Sequence, residues 1–316
     1  MIFLQQTKYR LINSGKVRDI YQGKNKSNIV VVASDRVSAF DKKLGIEIPD
    51  KGKILTAISA FWSVLVEDKE QNIGMTAYLS SNADCLDCIH PHGHFSEPEF
   101  DAPEFDGRVT KMTKLKMFPI ECIVRGHISG SAWKLYERGK HEICGVKLPE
   151  GLQNGSKFQK PIFTPTSKAP EGEHDENITF DEMIEIIVAN AMGDYYTARR
   201  IRDFCLGLYD FGYRYAAERG LILADTKFEL GLDEYQNIVF GDEILTPDSS
   251  RYWDAASFAP GREQKSFDKQ IIRDYLASAR ARGEKNPQIP AEILEQTSWQ
   301  YKELFKKLTG KPWPEA

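Results

Sequence analysis

Apolar and polar positions in the first 125 residues fall into the short runs that are typical of β-strands. A hairpin is predicted from strands at 8–12 and 17–21, which flank an Asn-Ser-Gly turn. The continuous apolar run at 28–33 predicts a buried strand, and further strands are expected at 75–79, 109–117 and 120–124. Apolar residues recur at helical spacing over 54–67, so a helix is predicted there.

The later part of the chain has mainly helical periodicity. Residues 149–172 are rich in Pro and Gly and predict a long loop, a kind of segment that often carries function. Helices are predicted at 181–191, 194–219, 267–282 and 290–308, with a strand pair at 221–230 and 237–243. Strands early and helices late predict an α+β fold. Two domains are expected, 1–116 and 117–316.

Composition and charge limit the classes of function. The chain has 316 residues, 41% of them hydrophobic and 28% charged, with a net charge of −4, as in ordinary globular proteins. A nucleic-acid partner is not expected at this charge, and no membrane partner is expected because no run of about 18 apolar residues occurs. Five scattered cysteines and an N-terminus without an apolar signal segment predict a cytoplasmic protein.

Two motifs near the N-terminus could bind anions. In Gly15-Lys16-Val17-Arg18-Asp19, a glycine turn would let backbone amides approach a phosphate, and Lys16 and Arg18 alternate toward one face. A plain β-turn with solvated cations is the alternative. The motif SDRVSAFD begins with Ser34-Asp35 directly after the predicted buried strand, where polar groups often form a site. An Asx-turn with a surface ion pair is the alternative there.

A third motif combines an arginine with a helix N-terminus. Arg125 ends an apolar strand, and its planar fork suits a carboxylate or a phosphate. Gly130 and Ser131 open a short predicted helix, whose first amides favour an anion. The alternatives are a structural ion pair for Arg125 and a plain helix cap for Ser131. His127, between them, is expected to be structural.

A charged strand is the strongest chemical signal. Period-two alternation places Asp225, Lys227 and Glu229 on one face of an otherwise apolar stretch, which is costly unless they bind something. The next predicted strand ends in Asp242-Glu243. Paired carboxylates with a lysine suit a Mg²⁺-nucleotide, because the acids bind the metal and the lysine meets phosphate. A solvent-facing ladder of charges is the alternative.

Two further motifs are weaker. The segment Leu245 to Arg251 combines hydroxyls, Asp248 and an arginine, which suits a sugar phosphate, although a Pro-Asp-Ser turn would also explain it. Cysteines and histidines cluster between Cys85 and His94 and suit zinc by residue type. No second cluster accompanies them, so a surface loop is the preferred interpretation.

Eight stretches follow one another from Gly15 to about Leu276: GKVRDIY, SDRVSAFD, KGKILT, IECIVRGHISGSAWKLY, PIFTPTSKAPEGEHDENIT, ILADTKFELGLD, DEILTPDSSRYWD and SFDKQIIRDYL. In this order they resemble the phosphoribosylaminoimidazole-succinocarboxamide synthase (SAICAR synthetase) family. The long spacings and the extended C-terminus resemble its long form. Residues 85–105 depart from the family's pattern.

The resemblance implies an enzyme that joins L-aspartate to 4-carboxy-5-aminoimidazole ribonucleotide (CAIR), using ATP and Mg²⁺ and releasing ADP and phosphate. It implies two α+β lobes, the first similar to a kinase small lobe and the second to an ATP-grasp domain. These small molecules would be the partners of a monomer or a homodimer.

Site residues carried over by the resemblance fall into four groups. ATP would be bound by the hairpin and by the connection between the lobes: Gly15, Lys16, Arg18, Lys114, Leu115 and Met117. CAIR would be bound by Asp35, Arg125, Ser131, Asp248, Ser250 and Arg251, and aspartate by Lys168, Asp175 and Lys269. Mg²⁺ would be bound by Glu229 and Asp242, and the expected catalytic residues are Lys16, Asp225 and Lys227.

Two other functions compete with the ligase. A small-molecule or protein kinase would fit the first lobe, but the sequence contains no HRD followed by a catalytic Asn. A non-catalytic nucleotide-binding protein would not need the clustered charges at 225–242. For the ligase itself, ATP could form an acyl phosphate, which we favour as a hypothesis, or trap a tetrahedral oxyanion.

Overall fold

The structure is a computed structural model that describes residues 9–39, 42–67, 78–79, 103–169, 175–284 and 287–314. The chain divides into two compact units. The N-terminal unit comprises residues 1–68, 79–115 and 271–316, and the central unit comprises residues 69–78 and 116–270. One boundary therefore falls between Leu115 and Lys116.

Strands and helices of the described residues are numbered along the chain. The strands are β1 (Leu11–Ser14), β2 (Arg18–Gln22), β3 (Asn28–Ala33), β4 (Arg36–Ala39), β5 (Lys42–Glu47), β6 (Tyr78–Leu79), β7 (Val109–Thr113), β8 (Lys116–Met117), β9 (Ile120–His127), β10 (Glu142–Ile143), β11 (Val146–Lys147), β12 (Lys157–Phe163), β13 (Thr166–Ser167), β14 (Leu221–Phe228), β15 (Leu230–Leu232), β16 (Ile238–Phe240) and β17 (Ser250–Asp254). The helices are α1 (Lys51–Glu67), α2 (Gly130–Glu137), α3 (Phe180–Ala189), α4 (Tyr195–Ala217), α5 (Gln270–Ala281) and α6 (Ala291–Thr309).

An antiparallel sheet with the order β1-β2-β3-β7 forms the centre of the N-terminal unit. Its buried face is apolar and includes Tyr21, Val30, Val32 and Val109. The predicted hairpin is present, but its turn lies at 15–17 rather than at 13–15. The predicted strand at 28–33 matches β3, because a continuous apolar run identifies a buried strand well.

Helices α5 and α6 belong to the N-terminal unit. Ile272 and Leu276 of α5 pack against Val37 and Ile48. On α6, the Ser298 hydroxyl donates a hydrogen bond to the carbonyl of Pro49 at 2.7 Å. The predicted assignment of the whole stretch 117–316 to a second lobe therefore does not match these contacts. Apolar faces that are 220 or more residues apart in sequence meet here, and local pattern cannot show this.

A second antiparallel sheet, with the order β12-β9-β14-β17, forms the core of the central unit, and β13 also pairs with β9. Helix α4 packs against it closely at Gly126, where an added Cβ would overlap the phenol of Tyr209. That phenol donates a hydrogen bond to the carbonyl of Leu223 at 2.7 Å. Gly126 is thus required so that the helix can approach the strand that carries the candidate site.

Two sequence predictions for this unit were wrong. The predicted long loop at 149–172 contains β12 and β13, and β12 is an edge strand of the main sheet. The strand predicted at 221–230 does not pair with 237–243 along its length. Instead β14 pairs with β9 and β17, and the short β15 pairs with β16. Residues 229–230 mark the change of sheet.

Helices α3 and α4 begin at capping boxes. Thr179 accepts a hydrogen bond from the amide of Glu182 and has its own amide bound in return, and Asp194 and Thr197 do the same for α4. Both helices were predicted within two residues of their observed bounds. The α+β class is confirmed, and among the described residues no helix is long and apolar enough to cross a membrane.

Candidate active site

The glycine hairpin of the N-terminal unit is fixed by contacts from the SDRVSAFD motif. The guanidinium of Arg36 donates to both carboxylate oxygens of Asp19, at 3.1 and 2.8 Å, and to the carbonyl of Gly15 at 3.4 Å. The Ser34 hydroxyl donates to the carbonyl of Val17 at 2.7 Å. Ser34 and Arg36 therefore hold the turn that was predicted to approach phosphate.

Lys16 and Arg18 were predicted to alternate along one strand. The structure places Arg18 at the start of β2 and Lys16 in the turn, and both are half-buried. The amide of Gly15 donates to the carbonyl of Arg18 at 2.8 Å, which closes the turn around Lys16.

Asp35 joins three elements of the N-terminal unit. Arg108 donates to its two carboxylate oxygens at 2.7 Å each, and the amide of Gly52 donates to one of them at 2.8 Å. The carboxylate therefore binds the first turn of α1, which explains why this helix begins before the predicted residue 54. Phe40 and Asp41 of the same motif lie outside the described residues.

The predicted adenine-binding residues flank the boundary between the units. Lys114 is exposed and its amide donates to the carbonyl of Ser27 at 2.7 Å. Leu115 and Met117 are half-buried, and Met117 pairs with Gly231 in the sheet of β8 and β15.

Four side chains of the central unit form a cluster around one carboxylate, which we call the arginine cluster: Arg125, Ser129, Asp225 and Arg251. The register places Asp225 of β14 between Arg125 of β9 and Arg251 of β17. Arg251 binds Asp225 directly, and Ser129 donates to the same oxygen at 2.9 Å. Arg125 lies 3.6 Å from that oxygen. The predicted anion-binding arginines are thus brought together.

Two charged side chains of this cluster are buried, so each needs a partner that offsets its loss of hydration. Arg125 is 4% exposed and Asp225 is 6% exposed, and burial lowers the pKa of Arg125 against the opposing effect of Asp225. Thr164 accepts a further hydrogen bond from Arg125 at 3.0 Å. Buried charges need such partners, since an unpaired one would cost several kcal/mol, on the order of 3–5. One aspartate therefore holds two guanidinium groups in place.

The start of helix α2 is shaped to accommodate Arg251. Gly130 has a left-handed backbone with φ of 54°, and an added Cβ would lie 2.7 Å from the guanidinium carbon of Arg251. Ser129, not Ser131, stands at the N-cap position, but its side chain makes no capping hydrogen bond and donates to Asp225 instead, while Ser131 is exposed in the first turn.

A second cluster of charged side chains is centred on Lys227, which lies two positions after Asp225 on β14. We call this cluster the lysine–glutamate chain: Glu121, Lys168, Lys227 and Glu229. Lys227 donates to Glu121 at 2.7 Å and to Glu229 at 2.8 Å, and Lys168 binds the other oxygen of Glu229. These contacts agree with the prediction that Lys227 and Glu229 share a face. A solvated ladder of unpaired charges is not what the structure shows.

Opposite charges dominate the pKa values of Lys227 and Glu229, whereas burial dominates that of Glu121. Burial alone would lower the pKa of Lys227, but Glu229 and Glu121 outweigh it and raise that pKa. Burial disfavours the charged form of Glu229, yet Lys227 and Lys168 lower its pKa to about 2. Burial raises the pKa of Glu121, against the attraction of Lys227. Lys227 and Glu229 are therefore charged at neutral pH.

Asp242 follows a residue that is bonded to the backbone of Glu229. The amide of Gly241 donates to the carbonyl of Glu229 at 2.9 Å. Two carboxylates at neighbouring strand ends suit Mg²⁺, which usually takes one or two protein carboxylates and fills its other positions with water and phosphate. Among the described residues, no group of three or more His, Cys, Asp or Glu side chains is placed to hold a metal ion.

The remaining predicted residues lie in the same unit. Lys269 is 3.5 Å from Asp248, and both side chains are largely buried. The hydroxyls of Ser250 and Thr226 are 2.9 Å apart across β17 and β14. Asp175 is exposed and accepts a hydrogen bond from the amide of Ala169 at 2.9 Å. The cysteine and histidine cluster at 85–94 lies outside the described residues.

The sequence matches the model of the SAICAR synthetase family over residues 11–290. The chain belongs to the SAICAR synthetase family. It is 42% identical over 308 residues to the phosphoribosylaminoimidazole-succinocarboxamide synthase of Lachnospira eligens, which covers 96% of each chain. It is also 42% identical over 303 residues to the enzyme of that name from Pichia angusta, covering 96% of this chain and 95% of the relative. The predicted resemblance is confirmed.

Solved structures of the SAICAR synthetase family have the same fold. SAICAR-synthase from Saccharomyces cerevisiae, complexed with SAICAR, superposes with a TM-score of 0.78 at 35% identity, covering 97% of each chain. A type-2 SAICAR synthetase in complex with ADP gives a TM-score of 0.66 at 23% identity, covering 96% of this chain and 99% of that chain. At that identity the likeness concerns the fold alone.

Three residues of the candidate site were missed by sequence reasoning. Glu121 lies four positions before Arg125 on β9, so period-two alternation already placed both on one face. Ser129 belongs to the arginine cluster and Thr164 contacts it, but neither residue lies on β9, β14 or β17. No local signal distinguishes them from other hydroxyl residues, because their partners are 35 or more positions away in sequence.

Proposed function

We propose that the protein is an ATP-dependent ligase that joins CAIR and L-aspartate to give SAICAR, ADP and phosphate in purine biosynthesis. Membership of the SAICAR synthetase family over nearly the whole chain supports this. The observation that carries the proposal is on β14. Asp225 gathers two arginines there, and two residues later Lys227 lies between two glutamates. An anion site and a metal-phosphate site are thus adjacent on one strand.

The arginine cluster is the proposed binding site for the ribonucleotide. Arg251 and Arg125 would bind its phosphate or carboxylate, because guanidinium forks match both groups. Asp225 was predicted to be catalytic, but its contacts favour a role in orienting the two guanidinium groups. Other residues proposed for the ribonucleotide are Asp35, Ser131, Asp248 and Ser250, and Asp35 would have to share its carboxylate with Arg108.

The N-terminal unit is proposed to bind ATP. Its four-stranded antiparallel sheet with a glycine hairpin supports the likeness to a kinase small lobe, and the central unit would be the ATP-grasp-like lobe. Lys16 and Arg18 would contact phosphates beside Gly15. Lys114, Leu115 and Met117 would lie beside adenine.

Glu229 and Asp242 are the residues proposed to hold Mg²⁺. When bound, the ion would neutralise charge on the phosphates of ATP. Lys227 would remain beside the metal, held by Glu121, and would supply a second positive charge to the transferred phosphoryl group. The charged state of Lys227 and Glu229 at neutral pH supports this assignment.

The chemical difficulty is that a carboxylate does not react with an amine. ATP could convert the carboxylate to an acyl phosphate before the amine of aspartate attacks, or phosphorylate the oxyanion that forms after attack. In either case catalysis depends on positioning and charge neutralisation, and orienting the substrates could supply on the order of 7–11 kcal/mol.

Lys168, Asp175 and Lys269 are the residues proposed to bind aspartate. The protein would be cytoplasmic and monomeric or homodimeric.

Release of ADP in the presence of CAIR, with and without L-aspartate, tests the proposal. We expect rapid ADP release with both substrates and a product that contains aspartate. ADP release that does not depend on aspartate, together with a stable phosphorylated product, would show a kinase instead. Positional isotope exchange in ATP without aspartate would reveal a freely formed acyl phosphate.

A further inference from the structure

Both carboxylate oxygens of Glu229 are bonded to lysines. Lys227 donates to Oε1 at 2.8 Å, and Lys168 donates to Oε2. If Glu229 binds a metal ion through one of these oxygens, the ion and the ammonium group on the same oxygen lie close together and repel each other, so release of one lysine is favoured.

Lys227 and Lys168 differ in the number of carboxylates that they contact and in their exposure to solvent. Lys227 also donates to Glu121 at 2.7 Å, so it keeps a carboxylate partner if Glu229 turns to a metal. Within the described residues, Glu229 is the carboxylate that Lys168 contacts, and the Lys168 side chain is 43% exposed against 32% for Lys227. Release of the Lys168 ammonium group from Glu229 therefore requires less free energy than release of the Lys227 ammonium group.

The backbone around Lys168 would not have to move. Its amide donates to the carbonyl of Pro119 at 3.1 Å, and the preceding Ser167 is paired with β9 and with the carbonyl of Glu176. A side chain with four rotatable bonds on a fixed backbone can exchange partners by rotation alone. The exchange thus needs no rearrangement of the sheet.

We propose that Lys168 is an internal cation that occupies the metal-binding oxygen of Glu229 and leaves it when the divalent ion binds. The proposal rests on the proposed assignment of Glu229 and Asp242 to the metal. One cation replaces another, so the half-buried glutamate is never left without a positive partner. The displaced ammonium becomes available to an anionic group of a substrate only after the metal is in place. Lys168 is in this sense a positioning residue that couples metal binding to substrate binding.

Competition for Oε2 gives the proposal a direct test. Mn²⁺ binding to the full chain without nucleotide would be followed by electron paramagnetic resonance. Lys168→Ala removes the competitor and is expected to tighten Mn²⁺ binding about fivefold, as for loss of one exposed ion pair. Lys168→Gln, which keeps most of the side chain, should behave in the same way if the alanine variant folds poorly.

Lys160→Ala is the matched control, because it removes an equal charge from an exposed lysine on β12 of the same unit. It should change Mn²⁺ affinity less than twofold. Equal effects of Lys168→Ala and Lys160→Ala would overturn the exchange. As a second readout, the rate of amine labelling of Lys168, followed by peptide mass spectrometry, should rise when Mn²⁺ is added to the native protein, and an unchanged rate would count against the proposal.

Glu229→Gln separates this inference from the proposed function. Loss of Mn²⁺ binding in Glu229→Gln, with no effect of Lys168→Ala, would reject the exchange and leave the metal assignment in place. Native Mn²⁺ affinity in Glu229→Gln would reject the metal assignment itself. The assay of ADP release with CAIR and L-aspartate tests the ligase independently of both.

Discussion

Arg251 of β17 and Asp225 of β14 face each other as directly paired residues, and their side chains bind each other while Arg125 approaches the same carboxylate from β9. One acidic side chain thus pairs with two arginines, one on each of the strands beside β14. The arrangement keeps the buried guanidinium group of Arg125 and the half-buried one of Arg251 oriented, and it makes both depend on Asp225.

Replacing Asp225 should destabilise the fold more than replacing an exposed acid. In Asp225→Ala the buried Arg125 loses its carboxylate partner, and we expect the free energy of unfolding to fall by about 3 kcal/mol. Urea unfolding of the purified variants would measure this. The control is Asp203→Ala, which breaks an exposed pair with Arg199 and should cost less than about 1 kcal/mol. Similar losses in the two variants would contradict the structural role given to Asp225.

Gly130 should affect the ribonucleotide site through Arg251. An alanine there would strain a left-handed backbone and push against the guanidinium, so Gly130→Ala should raise the KM for CAIR about tenfold or more. Gly139→Ala is the control, because Gly139 also has a positive φ, of 80°, but no atom lies within 4 Å of an added Cβ. Both variants should lose about 1 kcal/mol of stability. If Gly139→Ala raised the KM equally, the effect could not be assigned to Arg251.

Arg36 should control ATP binding without contacting ATP. Its fork holds Asp19 and the carbonyl of Gly15, so Arg36→Met should loosen the hairpin and raise the KM for ATP about tenfold. Steady-state kinetics with ATP and CAIR varied in turn would show whether the KM for ATP changes selectively. Arg36→Lys keeps the charge but not the fork and should be intermediate.

A variant with the same change of charge on the same sheet provides the comparison for Arg36. Arg10 is exposed next to β1, and Arg10→Met should leave the KM for ATP within about twofold of the native value. An equal change in both variants would point to general electrostatic attraction of the nucleotide rather than to a positioned turn.

Local pattern was sufficient where the signal lies within neighbouring residues. The apolar run at 28–33 and the helical stretches at 181–191 and 194–219 predicted their elements closely. It failed at β12, where only Phe158 and Phe163 are buried and Pro161 interrupts the strand. Pro is tolerated on an edge strand, which resembles a loop in sequence.

The candidate site was predictable in residue type but not in arrangement. Alternation placed Asp225, Lys227 and Glu229 on one face, and their contacts agree with this. The pairing of Asp225 with both Arg125 and Arg251 depends on strand register, which joins residues 100 and 26 positions apart in sequence. For the same reason, the sequence did not show that Lys168 reaches Glu229.

His127 should make stability depend on pH. Its Nδ1 hydrogen donates to the carbonyl of Gly155 at 2.9 Å, and the ring packs edge-to-face against Trp253 and against Phe258. Burial lowers the pKa of His127, so the folded protein keeps the ring neutral where the unfolded chain, with a pKa of about 6.5, binds a proton. The contribution of His127 to stability is therefore complete above about pH 6.5 and is lost as the pH falls below that value.

Urea unfolding at pH 7.5 and pH 5.5 measures this dependence. The native protein should lose up to about 1 kcal/mol from His127 between these values, and His127→Gln, which can still donate to Gly155 but does not titrate, should show a correspondingly smaller loss. His141→Gln is the control, since His141 is exposed and its replacement should leave the pH dependence unchanged. An identical slope in native protein and His127→Gln would mean that the buried ring accepts a proton without disturbing the fold, contrary to its apolar surroundings.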